Sequence, residues 1–274
     1  MEITRSANIH YLAPGLLGAP NVSVQGFTTR HEGVSRAPYN SLNLGANTFD
    51  PPHNVQGNRS LLARTFGGRV DKFVMVNQCH GTDILVIDEP NPDFAHFQKL
   101  GCDGIITNQP QVMIAVGVAD CLPILLLDPV RRVIAALHAG WKGTAGNIAA
   151  KGVESLVTLF DSNKSDILAA FGPAIGPCCY EVDEPVKQAF NSSGMDWSKA
   201  AAAAGRGKWR LDLAAANREQ LLAAGLSGAN IETAGHCVSC QHDWFFSYRR
   251  DGGETGRQAG FITVTSNRSA QTVL

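Results

Sequence analysis

Three short stretches of this chain place soft, metal-competent donors at the ends of apolar runs. His80 stands in NQCHGTDI after the apolar FVMV, Cys121 in VADCLPILLLD, and His138 in ALHAGWKGT. Gly81 is expected to let the backbone turn sharply behind His80. Asp120 marks a polar pocket, because an acid beside a buried cysteine needs a partner. Taken singly, a strand-end histidine is usually a hydrogen-bonded structural residue, and a buried cysteine packs as a small hydrophobe. If Pro123 to Asp128 and Arg131 to Leu137 form a hairpin around Asp128-Pro129, however, the start of one strand adjoins the end of the other, and Cys121 meets His138. The pair is then a thiolate nucleophile with its base, or, with His80, a zinc site whose fourth position stays open for water, as in catalytic zinc. The residues alone leave both chemistries open.

Other polar segments offer pocket groups. GFTTRHEGVSRAPYNSLNLG supplies Arg30, Arg36, Asn40 and Asn43 as donors for a hydroxyl-rich or phosphate-bearing ligand, against the plainer reading of a surface loop. WFFSYRRDGGETGRQAGFI sets an aromatic cluster beside Arg249, Arg250 and Arg257, enough to stack a flat ring and hold an anion. FGPAIGPCCYEV reads as turn-forming, with Glu181 and the earlier Asp120 as candidate acids or bases. HCVSCQH carries Cys237 and Cys240 at C-x-x-C spacing. A structural zinc site needs a second half, and no matching spacing occurs elsewhere, so a polar turn with partly buried thiols is expected there.

The elements that must position these groups read as mixed α/β. VMIAVGV, PILLLD and RVIAAL are short apolar runs separated by turn residues, expected as central strands of one sheet. An amphipathic stretch from about Ala145 to Phe160, with Ile148, Val153, Leu156 and Leu159 near helical spacing, should leave that sheet as a helix. LDLAAANREQLLAAG, with Asp212 at its start and Gly225 as its stop, predicts a second helix, and NVQGNRSLLARTFG a third. The alanine run Ala200 to Ala204 is expected as a helix or a loose surface segment. GFITVTSNRS supplies a late strand, so one sheet closed by distant segments is expected, in a single domain spanning 1–274.

Composition narrows the function. The 274 residues are 44% hydrophobic and 17% charged with a net charge of -1, which gives a substantial core and no electrostatic footprint for nucleic acid or an anionic membrane. A small-molecule partner is expected, with the chain a monomer or small homo-oligomer. The N-terminal stretch lacks a basic region followed by a sustained apolar one, and no run of about 18 apolar residues occurs. Seven cysteines, two of them adjacent at Cys178 and Cys179, make a poor disulfide framework and point to a reducing cytoplasm.

Taken together, GFTTR with GVS and NSLNLG, then Q-x-HG, ADCLPILL, HAGWKGT, GPAIGPCCYEV and FFSYRRDGGETGRQ resemble, in order and from about Phe27 to Ile262, the YfiH-like family. That family has been labelled multicopper polyphenol oxidase or laccase, peptidoglycan editing factor, and purine nucleoside phosphorylase with adenosine deaminase activity. The resemblance implies zinc on His80, Cys121 and His138, and a mixed α/β sandwich similar to the cysteine-hydrolase-like catalytic domain of a bacterial deamidase toxin of the CNF type. It puts the motifs of Asn43 and Arg59 at the pocket as substrate contacts; the basic residues Arg59 and Lys142 are candidates for phosphate, and Arg250 is a further candidate substrate contact. The chain departs from the family pattern at His31-Glu32 before Gly33 and at Gly104 in GCDGIIT, where alanine is usual.

A four-copper laccase is hard to build here. Trinuclear clusters rest on His-x-His pairs and none of the eight histidines is so spaced, so copper is expected only as an occupant of the one site. Zinc-activated water can attack the amino-bearing carbon of adenosine, and an anion held by basic residues can displace the base from the sugar. The leading expectation is therefore phosphorolysis of adenosine, inosine or methylthioadenosine with adenosine deamination. The alternatives are cleavage of a muropeptide amide, laccase-like polyphenol oxidation by copper in the one site, and a non-catalytic zinc-dependent binding module, which would need a fourth protein ligand.

Overall fold

The structure is a computed structural model that describes residues 1–18, 22–89 and 92–265. Two six-stranded mixed sheets and a small three-stranded one make up its β structure. The first sheet runs, edge to edge, β1 (Ile3–Ser6), β2 (Ile9–Leu12), β3 (Ser23–Thr28), β15 (Gln258–Val264), β7 (Met113–Val118) and β4 (Phe73–Val74). The second runs β14 (Ile231–Thr233), β10 (Leu168–Phe171), β8 (Leu122–Asp128), β9 (Val133–Ala139), β6 (Gly104–Thr107) and β5 (Ile84–Ile87). The third joins β11 (Glu181–Val182), β13 (Lys208–Leu211) and β12 (Ala201–Gly205).

The two large sheets pack face to face, and helices cover their outer faces. Because side chains alternate along a strand, Ile114, Val116 and Ile262 of the first sheet meet Leu125, Leu127, Ile134 and Ala136 of the second in one buried layer. The opposite residues of β8 and β9, Ile124, Leu126, Ala135 and Leu137, pack with Ile148, Val153 and Leu156 of α4 (Ile148–Phe160) and Leu221 of α7 (Leu213–Ala223). On the far side Met113, Ala115 and Phe261 lie against Leu62 and Ala63 of α1 (Pro52–Thr65). Burial on both faces explains why these strands read as continuous apolar runs rather than alternating ones. Each fully buried Leu or Ile contributes roughly 2 kcal/mol. The architecture is the expected mixed α/β sandwich.

Three expectations need correction. VMIAVGV forms β7 in the first sheet while PILLLD and RVIAAL form β8 and β9 in the second, since apolar runs buried on both faces look alike whichever sheet they join. Ala201–Gly205 is a strand, not a helix, paired antiparallel with β13; cross-strand contact with Trp209 overrides the helix preference of alanine. The helix from about Ala145 is broken, with a short α3 (Trp141–Ala145) preceding α4 and Asn147 between them in the left-handed region at φ 63°. The late strand is present as β15, although the end of GFITVTSNRS, residues 266–269, lies outside the described residues. The helix at LDLAAANREQ is capped as expected, the Asp212 side chain accepting from the Ala215 amide at 2.9 Å, and Gly225 follows its end at φ 103°. No helix among the described residues is long and apolar enough to cross a membrane.

Candidate active site and metal centre

The hairpin forms in the register the chemistry requires. Pro123 pairs with His138 and Leu122 with Ala139, so Cys121, one residue before β8, stands beside the end of β9. The turn is held by Asp128 Oδ1, which accepts the amides of Val130 and Arg131 at 2.8 and 2.9 Å. His80 arrives from the loop between β4 and β5. The ligating atoms of His80, Cys121 and His138 all lie within 4.8 Å of one another, and the two imidazole rings meet edge to face with centroids 4.9 Å apart. Gly140 leaves them room: a Cβ there would stand 2.9 Å from Cys121 Sγ and 3.3 Å from the His80 ring.

The organiser of this group is Asp103, just before β6, which the sequence reading missed. Its fully buried carboxylate accepts the amides of Cys79 at 3.2 Å, His80 at 2.9 Å and Gly81 at 2.6 Å through Oδ2, Oδ1 and Oδ2 respectively. Oδ1 also accepts His138 Nδ1 at 2.7 Å. One side chain thus fixes the His80 loop and sets the His138 tautomer so that Nε2 is the nitrogen left for a ligand. Burial alone would raise the Asp103 carboxyl, but His138, Cys79 and the Gly81 amide outweigh it and hold it well below the usual carboxylate range. The loop bends at His80 itself, at φ 61°, rather than at Gly81. A non-glycine residue in that left-handed region is strained, and the three amide bonds to Asp103 are what hold it there.

Charge and burial prepare the donors for a metal. Burial pushes the Cys121 thiol up, yet His138 and His80 override this and bring it down to about 6. Burial likewise opposes protonation of His138, but Cys121 and Asp103 raise it to about 9. Cys121 and His138 thus each favour the charged form of the other. Two imidazoles and a readily ionised thiolate on a common centre suit zinc or copper, so the donor set fits the implied ion.

All three donors line a cavity of about 780 Å³, within the range of small-molecule sites. Its wall also carries Arg59, Arg257, Arg249, Asp120, Tyr180 and Tyr248. Arg59 Nε donates to the Leu44 carbonyl at 3.0 Å, and burial lowers its guanidinium to about 10. The Asp120 carboxylate accepts from Ser247 Oγ and, at 2.7 Å, from the Arg249 amide; burial nonetheless outweighs these bonds and raises it. Gln78 ties the same wall to β7, exchanging two 2.8 Å bonds with the Gly117 backbone.

Of the expected substrate contacts, Arg59 reaches the cavity and three others do not. Asn43 is fully buried and spends its amide on Thr48, Asp50, Gly45 N and Arg257 N at 2.9 to 3.0 Å. It braces the turn at Gly45 and the start of β15. Arg250 is held by both oxygens of Asp251 and by the carbonyls of Val238 and Phe245, so Arg249 and Arg257 take the place expected for it. Lys142 is exposed, with its ammonium over the Trp141 ring at 5.6 Å, outside the cavity lining. Glu181 pairs with Arg210 at the surface, so of the two candidate acids it is Asp120 that lines the cavity.

A three-donor group lining a ligand-sized cavity in a mixed α/β sandwich is the construction of a small-molecule enzyme. Residues 24–265 match the family model described as multi-copper polyphenol oxidoreductase laccase, and the chain belongs to that family. It is 42% identical over 267 residues to a purine nucleoside phosphorylase of Deinococcus radiodurans, covering 95% of this chain and 97% of that one. It is 37% identical over 235 residues to adenosine deaminase RL5 of an unknown prokaryotic organism, covering 84% and 89%. The crystal structure of YlmD from Geobacillus stearothermophilus superposes with a TM-score of 0.87 at 36% identity, covering 96% of this chain and 99% of that one. The resemblance read from the motifs is thereby borne out.

Proposed function

We propose that the chain is a zinc-dependent purine nucleoside enzyme that phosphorolyses adenosine, inosine and methylthioadenosine and also deaminates adenosine, with His80, Cys121 and His138 as metal ligands. The observation that carries this reading is the convergence of those three donors on a cavity shared with Arg59, Arg257 and Asp120. The printed names of the phosphorylase and deaminase relatives support it. Seven free thiols suit a reducing cytoplasm.

In phosphorolysis a phosphate oxygen bonds to the anomeric carbon as the glycosidic bond breaks; its electron pair leaves with the purine, which takes up a proton. In deamination water adds to the amino-bearing ring carbon and ammonia leaves. Zinc held by His80, Cys121 and His138 would supply Lewis acidity at neutral pH. Arg59, anchored through Nε, and Arg257 hold the phosphate by charge-assisted hydrogen bonds. Tyr180 and Tyr248 offer ring faces to the flat purine. Asp120, raised by burial and aimed by Ser247 and the Arg249 amide, carries the proton. Asp120→Asn is expected to keep its metal and lose turnover by about 100-fold; unchanged turnover would remove Asp120 from the mechanism.

A second reading rests on the line Cys121, His138, Asp103, in which the imidazole is oriented by a buried carboxylate as in a thiol hydrolase. That arrangement would cleave an amide, such as that of a muropeptide, without any metal. Amidase turnover surviving complete metal removal would favour it.

A further inference from the structure

Cys237 and Cys240 do have a second half, supplied by the adjacent pair Cys178 and Cys179. The four Sγ atoms all lie within 4.8 Å of one another, with Cys178 to Cys240 at 3.6 Å and Cys179 to Cys240 at 3.4 Å. A tetrahedral zinc with bonds of about 2.3 Å has sulfur–sulfur edges of about 3.8 Å, so the spacing is that of a four-thiolate shell. It is too wide for a disulfide, whose sulfurs stand about 2.05 Å apart, and all four cysteines are free. Hydrophobic packing does not explain the cluster either, since Cys178 and Cys240 are exposed. The Gly176 amide donates to Cys237 Sγ at 3.2 Å, the bond that a metal-bound thiolate accepts.

We propose that Cys178, Cys179, Cys237 and Cys240 form a second metal site, a closed four-thiolate zinc site that clamps together two loops of the cavity wall. The first loop carries Ile175 and Tyr180 on either side of the vicinal cysteines, and both line the cavity. The second runs from Cys240 to Ser247, Tyr248 and Arg249, and so to the groups that hold Asp120. Between them the backbone makes a bridge, Ala174 to Cys237, through the Ala174 amide to the His236 carbonyl at 3.3 Å and the Val238 amide to the Ala174 carbonyl at 3.0 Å. Zinc binding releases the remaining thiol protons and leaves no open coordination position, so the site is structural.

The test counts metal and does not depend on activity. Metal content per chain is measured by mass spectrometry of the elements for the wild type, for His80→Ala/Cys121→Ala, and for Cys178→Ser/Cys240→Ser, all purified without added chelator. Two zinc ions in the wild type and one in each variant are expected, because each double substitution destroys one of the two groups. Cobalt loaded into His80→Ala/Cys121→Ala should show the visible and thiolate charge-transfer bands of a tetrahedral four-sulfur site. A His80→Ala/Cys121→Ala protein that retains no metal and binds no cobalt in this way would overturn the proposal. So would an intact mass lower by two hydrogens, which would reveal a disulfide. Should the serine variant fail to fold, the His80→Ala/Cys121→Ala protein decides alone.

Discussion

Asp103→Asn isolates the group on which the centre depends. The carboxylate offers two acceptor oxygens to the amides of Cys79, His80 and Gly81 and to His138 Nδ1, whereas a carboxamide keeps one acceptor and turns an NH2 toward the remaining donors. With its oxygen at the Oδ1 position, the amides of Cys79 and Gly81 lose their acceptor. With the oxygen at Oδ2, the His80 amide loses its acceptor and His138 Nδ1 must become one, which moves the ring proton to the nitrogen a metal needs. An N–H left without an acceptor costs about 1–3 kcal/mol, so the orientation that strands only the His80 amide is favoured and the variant loses roughly that amount together with the His138 tautomer. Part of this appears as lost stability and part as lost metal affinity, for which removal of an orienting carboxylate typically gives a 10- to 100-fold loss. Urea unfolding of the metal-free protein and chelator competition on the loaded protein separate the two. An Asp103→Asn protein with wild-type unfolding and wild-type metal affinity would refute the assignment of Asp103 as organiser.

Three other substitutions are informative. Arg59→Ala should raise the KM for phosphate while leaving deamination little changed. Asn43→Ala leaves the Gly45 and Arg257 amides without their acceptor and should lower unfolding stability by about 2–5 kcal/mol; normal stability with a raised KM would instead mark Asn43 as a substrate contact. Gly104→Ala puts a Cβ 2.8 Å from Leu137 Cδ2 and 2.9 Å from Ile84 Cγ1, and should cost about 1 kcal/mol in the same assay.

What was legible in the chain was whatever short-range pattern encodes. The hairpin that joins Cys121 to His138 could be read because Asp128-Pro129 interrupts two apolar runs, and the Asp212-capped helix because its cap and its glycine stop are local signals. The partition of β7 from β8 and β9 was not legible, since side chains buried on both faces give the same run in either sheet. Asp103 lies 35 residues from the histidine it orients, in a segment whose only notable feature was Gly104. The group that faces Cys237-x-x-Cys240 is hidden in the sequence because it is not a second C-x-x-C but the vicinal pair Cys178 and Cys179 on another loop. For Asn43 and Arg250 the residue type suggests binding, but the fold occupies both with internal hydrogen bonds away from the cavity lining.

The central claim is tested most directly by mass spectrometry of the products formed when zinc-loaded protein is incubated with adenosine, with and without phosphate, beside Cys121→Ala. The account predicts adenine with ribose 1-phosphate when phosphate is present and inosine in its absence, and neither product from Cys121→Ala. No turnover of adenosine under either condition, or equal turnover by the Cys121→Ala protein, would contradict it.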